Sequence, residues 1–114
     1  LNAFRALLVT IIVGVGIYTS ITIANHGPAL FGVFFGDMMA MAWPGQFNLD
    51  FMCFLIFSGL WLAWRHHFSP GGIALGIGGV LLGAPYLSIY LLITSFRVHG
   101  DVRMLLLGEA RAAA

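Results

Sequence analysis

Lysine is absent from this 114-residue chain, cysteine occurs once, and charged residues of all kinds make up only 8%. So little charge excludes an ordinary soluble domain, in which about a quarter of the residues are charged. The single Cys53 excludes an internal disulfide and a cysteine-based zinc site. A net charge of +1 gives no electrostatic footprint for nucleic acid. Nucleophile elbows, phosphate-binding glycine loops and Cys/His metal spacings are also missing. What is there is apolar: 61% of residues are hydrophobic. A chain this short buries only about 60–70% of its surface on folding, so the excess must face lipid. Lipid cannot satisfy backbone polar groups, so long apolar runs there must be helices. The composition predicts an all-α integral membrane helical bundle.

Three runs have the length of a span. The first, 6–24, has about 19 residues, too long for a signal-peptide core and right for a crossing. It stops at Asn25-His26-Gly27-Pro28, a turn cluster. The second, 48–65, opens on Asn48 and Asp50, which suit a helix N-terminus, and closes on Trp61, Trp64, Arg65, His66 and His67, which suit an interface. The third, 72–96, follows the turn Phe68-Ser69-Pro70-Gly71. Between the first two, 29–43 is apolar but short; with Asp37 inside and Trp43 at its end it reads as an interfacial or re-entrant helix. Residues 1–96 thus form one transmembrane domain, and 97–114 a tail on the membrane surface.

With three spans, Arg5 and Arg65 share one side, and Arg97, Arg103 and Arg111 the other. If 29–43 also crosses, Arg65 stands alone against the other four. Either count places the C-terminus in the cytoplasm, because arginine is enriched on that side. The setting is a bacterial inner membrane.

Gly72, Gly76, Gly79 and Gly83 recur at spacings of four, three and four, which is one face of a helix. In lipid, small residues let helix backbones approach closely, so this stripe predicts a packing seam, with Gly14 and Gly16 of the first span as its internal partner. Pro85 predicts a kink, since it cannot bond the carbonyl of Leu81.

If the last two spans are a straight antiparallel pair, Asp50 lies level with about residue 87, near Tyr86, Ser88 and Tyr90, and Asp37 lies level with Arg97. Asn25, His26, Asp37, Asn48, Asp50 and Arg97 then form one polar layer. Within it Asp50, Tyr86 and Tyr90 are the catalytic candidates should the protein be an enzyme, with Asp50 as general acid and the two rings facing a developing cation on a lipid-like or isoprenoid substrate. His66 and His67 are adjacent and diverge on a helix, a poor ligand pair, and no metal site is expected. Haem or chlorophyll remains an alternative cofactor, with His26 and His99 as the ligands to consider.

The stretch Phe47-Asn48-Leu49-Asp50, then Trp61 to Arg65, then Gly83-Ala84-Pro85 with Leu87-Ser88 and Tyr90-Leu91-Leu92, resembles a group of small bacterial membrane proteins of unknown function. The resemblance covers about the middle 45 residues and implies three spans and no activity. The leading functional reading is a non-catalytic accessory or assembly subunit that contacts lipid and other transmembrane subunits, with a respiratory or photosynthetic complex as the kind of assembly in view. It rests on the glycine face and on an aromatic surface of Phe31, Phe34, Phe35, Phe51, Phe54 and Phe57. The small membrane enzyme and the haem or pigment carrier are the alternatives.

Overall fold

A computed structural model describes residues 1–114 and contains helices and no strands. The order is α1 (Asn2–His26), α2 (Leu30–Met39), α3 (Trp43–Arg65), α4 (Pro70–Arg97), α5 (Val102–Leu107) and α6 (Glu109–Ala113). By length and composition α1, α3 and α4 each qualify as a membrane crossing, as expected, α4 only when its whole length is counted through the break at Gly83.

The helix ends follow the local chemistry. α1 stops where Gly27 takes a φ of 78° ahead of Pro28. α3 begins at Trp43, ahead of the Asn48 start expected, because Pro44 fits a first helical turn and Ala42 enters it extended. Asn48 is therefore internal, and its side-chain amide donates to the carbonyl of Phe34 at 3.1 Å. α3 ends at His66, and His67 and Phe68 turn the chain with φ of 58° and 53°. Ser69 then caps α4, accepting from the Gly72 amide at 3.1 Å, with Pro70 in the first turn.

α4 lies between α1 and α3, and α2 lies along the first turns of α3. Asn48 faces Phe34 and Gly45 meets the Asp37–Met38 backbone, so α2 runs antiparallel to α3. The closest helix approach is between α3 and the first part of α4. A Cβ on Gly59 would sit 2.5 Å from the Gly76 carbonyl, and a Cβ on Gly76 would sit 2.6 Å from the Gly59 carbonyl. Gly79 faces Leu62, which is fully buried, and Gly59. The stripe of Gly72, Gly76, Gly79 and Gly83 is thus a packing face, but its partner is not the first span. Gly14 and Gly16 have open space around them, and Gly59 supplies the close approach instead.

α4 is not straight. Gly83 has φ 72° and ψ −149°, a conformation open essentially to glycine alone. A continuous helix would carry Tyr90 about 30 Å along the axis from Pro70. Yet the Tyr90 hydroxyl lies 2.6 Å from His66 Nε2, just before the start of α4. The Tyr86 hydroxyl likewise donates back to the carbonyl of Leu75 at 2.9 Å, and its ring occupies the space beside Gly78. The chain therefore reverses at Gly83, and 70–82 and 84–97 lie side by side as a helical hairpin. Pro85 does not interrupt a helix, as the sequence led us to expect; it sits in the first turn of the returning half, where its missing N–H costs nothing. Each half is about 20 Å long at 1.5 Å per residue. The tip at Gly83 rests near Leu55 and Phe51, part-way along α3.

The returning half brings Ser95 against Arg5 near the start of α1. The start of α1, the end of α3, both ends of α4, and the short helices α5 and α6 consequently gather at one end of the molecule. Leu8, Leu62, Ala63 and Leu105 are the buried apolar side chains, and only Gly45 is buried at the opposite end. From Val13 to His26, every residue of α1 is exposed.

Candidate functional site at the arginine end

The reversal at Gly83 sorts the charges. Arg5 and Arg65 touch the returning half of α4, Arg97 ends that half, and Arg103 and Arg111 sit in the tail that folds onto α3. All five basic residues of the chain lie at this end, together with Asp101 and Glu109. The other two carboxylates, Asp37 and Asp50, lie at the far end, on α2 and the early turns of α3.

At the arginine end the side chains converge on backbone carbonyls. α5 is capped at its start by Asp101, which accepts from the Met104 amide at 3.1 Å. The last carbonyls of a helix have no partner within it. Here Arg65 supplies one: Nε donates to Leu105 O at 2.8 Å and Nη2 to Met104 O at 3.0 Å. Trp61 Nε1 donates to Leu106 O at 3.1 Å. Gly108, at φ 84°, turns the chain against the carbonyl of Arg65. Arg111 then donates to Trp64 O at 2.6 Å and stacks 3.9 Å over the Trp64 ring. On the other flank Arg5 donates to the Ser95 hydroxyl and carbonyl, both at 3.0 Å, and lies 4.0 Å over Phe96.

Tyr90 joins this network to α4. Its hydroxyl accepts from Arg65 Nη1 at 2.9 Å and lies 2.6 Å from His66 Nε2. In the tautomer that carries its proton on Nδ1, His66 Nε2 accepts the phenol proton while Arg65 donates to the phenol oxygen. His66 follows the last turn of α3 and is held below the ordinary histidine range, first by desolvation, then by the neighbouring charges of Arg65 and His67. A cleft of about 540 Å³ opens beside it, lined by Arg65, His66, His67, Gly108, Glu109, Ala110 and Ala113. None of the hydrogen bonds made by arginine in the protein reaches an Asp or Glu carboxylate.

The expected polar layer does not form as one unit. Asn25, His26, Asp37, Asn48 and Asp50 do occupy the far end, but Arg97 is at the opposite one and cannot pair with Asp37. Asp50 is exposed, and Tyr86 and Tyr90 point back toward Leu75 and His66. The expectation that Asp50 meets Tyr86, Ser88 or Tyr90 assumed a straight third helix, and the turn at Gly83 removes it. Ser88 is buried on the returning half of α4. The haem and pigment reading does not fit the histidines. His26 is at the far end, His66 Nε2 is engaged by Tyr90, and His67 and His99 sit in exposed turns with positive φ. No His, Cys, Asp and Glu side chains gather in a group of three or more able to hold a metal ion.

From the sequence, Trp61, Trp64 and Arg65 stand as interface residues, Arg5, Arg65 and Arg111 enter the charge count, and Ser95 carries no role; none of them is expected to converge on one site. The missing signal was the turn at Gly83-Ala84-Pro85, which places Tyr90 and Ser95 at the arginine end. No family model, curated protein or solved structure matches this chain.

Proposed function

We propose that this is a non-catalytic accessory or assembly subunit of a larger complex in a bacterial inner membrane, with both termini in the cytoplasm. The observation that carries the subunit reading is the asymmetry of packing. At the arginine end the helices bury a core around Leu8, Leu62 and Leu105. Away from that core α1 offers Ile17, Tyr18 and Ile21, α2 offers Phe31 and Phe35, and the middle of α3 offers Phe54 and Phe57, each about half exposed or more, with Tyr18 at 77%. Exposed aromatic surface on this scale suits neighbouring transmembrane helices as well as lipid.

The orientation follows from the charges. In this reading α1 and α3 cross the bilayer, and α4 enters and leaves on the arginine side. All five arginines then face one compartment, which the positive-inside rule assigns to the cytoplasm. Purification of the chromosomally tagged chain in mild detergent tests the subunit reading. The expected result is a discrete complex holding the same transmembrane partners at fixed stoichiometry across preparations. A monodisperse single chain in its detergent micelle, in every mild detergent, opposes it.

A further inference from the structure

We propose that the C-terminal tail is a proton-sensitive latch: uptake of one proton by His66 releases α5 and α6 from the end of α3. Two short helices of six and five residues cannot persist alone, because isolated helices of that length are unstable in water. They are held by contacts to α3, and Arg65 makes the two shortest to α5. The same guanidinium donates to Tyr90, whose phenol proton serves His66.

Protonation of His66 breaks this arrangement in two ways. Nε2 becomes a donor, so two N–H groups converge on the Tyr90 oxygen and the phenol proton loses its acceptor. Arg65 Nη1 and His66 Nε2 also become two cations bonded to one oxygen, no more than about 5.5 Å apart, and they repel. Relief of that repulsion by displacement of the Arg65 guanidinium gives up the carbonyls of Met104 and Leu105. The proton adds to the imidazole lone pair and no other bond changes.

Arg65 on α3 and His67 in the following turn oppose its protonation, and both depress its pKa along with desolvation. Tyr90 on α4 accepts or donates as described. Glu109 on α6 lines the same cleft and favours the proton, but makes no hydrogen bond to the ring. Asp101 caps α5, accepting from the Met104 amide. Because His66 binds protons less readily in the latched state than when free, the latch is fully held above the ordinary histidine pKa. It is lost progressively as pH falls from there to the lowered value.

The test is amide hydrogen exchange of residues 102–113 in the full chain, in nanodiscs of neutral lipid, from pH 7.5 to 5 and corrected for intrinsic rates. The expected result is stable protection above the free histidine value, then a loss that steepens toward at most about tenfold per pH unit, the slope of a single proton, as pH falls from there to the lowered His66 midpoint, and that levels off below it. His66→Gln, which keeps a neutral acceptor for the Tyr90 proton, should retain protection down to pH 5. Titration of the His66 ring by NMR in the wild-type protein supplies a readout independent of any variant and should give a midpoint below that of a free histidine. Flat wild-type protection, an unchanged acid release in His66→Gln, or a His66 midpoint at or above the free value would each overturn the proposal.

Discussion

Replacing Gly76 by Ala adds one methyl group at the closest approach of two helices. The new carbon would lie 2.6 Å from the Gly59 carbonyl oxygen and 3.3 Å from the Ala63 methyl. Neither neighbour is a flexible side-chain end, so relief requires the α3 and α4 backbones to part by roughly 1 Å, and a gap of that size forfeits a quarter to a half of each facing van der Waals contact. Overpacking of this kind costs about 1–3 kcal/mol. Helix propensity works the other way, since Ala is favoured over Gly by about 1 kcal/mol. The clash with the Gly59 backbone outweighs it, and Gly76→Ala should be destabilised by up to about 2 kcal/mol. Gly14→Ala provides the contrast. It lies within α1 with nothing nearby, so only propensity acts, and stability should rise by about 0.5–1 kcal/mol. Reversible unfolding followed by circular dichroism in mixed micelles measures both. Equal stability for the two variants, or a destabilised Gly14→Ala, would refute the assignment of the seam to Gly59 and Gly76.

Three further outcomes are expected. Gly83→Ala has space for its methyl, with Leu55 and Phe51 no closer than 3.5 Å, but must adopt φ 72° with ψ −149°; a loss of about 1–3 kcal/mol in the same unfolding assay is expected from backbone strain alone. Arg65→Gln removes the donors to Met104 and Leu105, so limited proteolysis should cut within 102–113 faster than in the wild type while 1–97 stays intact; identical tail cleavage would contradict the role given to Arg65. Reporters fused to either terminus should both report the cytoplasm; a periplasmic signal from either one would reverse the orientation or the number of crossings.

The three apolar segments were legible because the hydrocarbon core sets a minimum length and tolerates few charges. Ser69-Pro70 and Asn25 to Pro28 marked helix boundaries because Ser caps, Pro lacks a donor and Gly admits positive φ. The glycine stripe was legible as a packing face, since its spacing is local to one helix. Its partner was not: Gly14 and Gly16 have the same composition as Gly59, and only tertiary placement separates them. The reading failed most at Gly83-Ala84-Pro85. The same three residues fit a proline kink within one helix or a tight turn between two, and local propensity does not choose between them. Tyr86 against Gly78, and Tyr90 against Arg65 and His66, stabilise the turn through contacts distant in sequence. Every error at the candidate site follows from that choice, because a straight helix puts Tyr90 near Asp50 and a reversed one puts it beside His66.

The reversal itself is tested most directly by one distance. Spin labels at Gly71 and Arg97, both exposed and at the two ends of α4, report whether the helix folds back. With the halves side by side at an ordinary interaxial distance of 8–10 Å, the labels should lie within about 20 Å of each other in nanodiscs, side-chain linkers included. A continuous helix of this length places them about 39 Å apart. A single population near the shorter distance is the predicted result. A population near the longer one would contradict the hairpin, the gathering of the arginines and the site built on them.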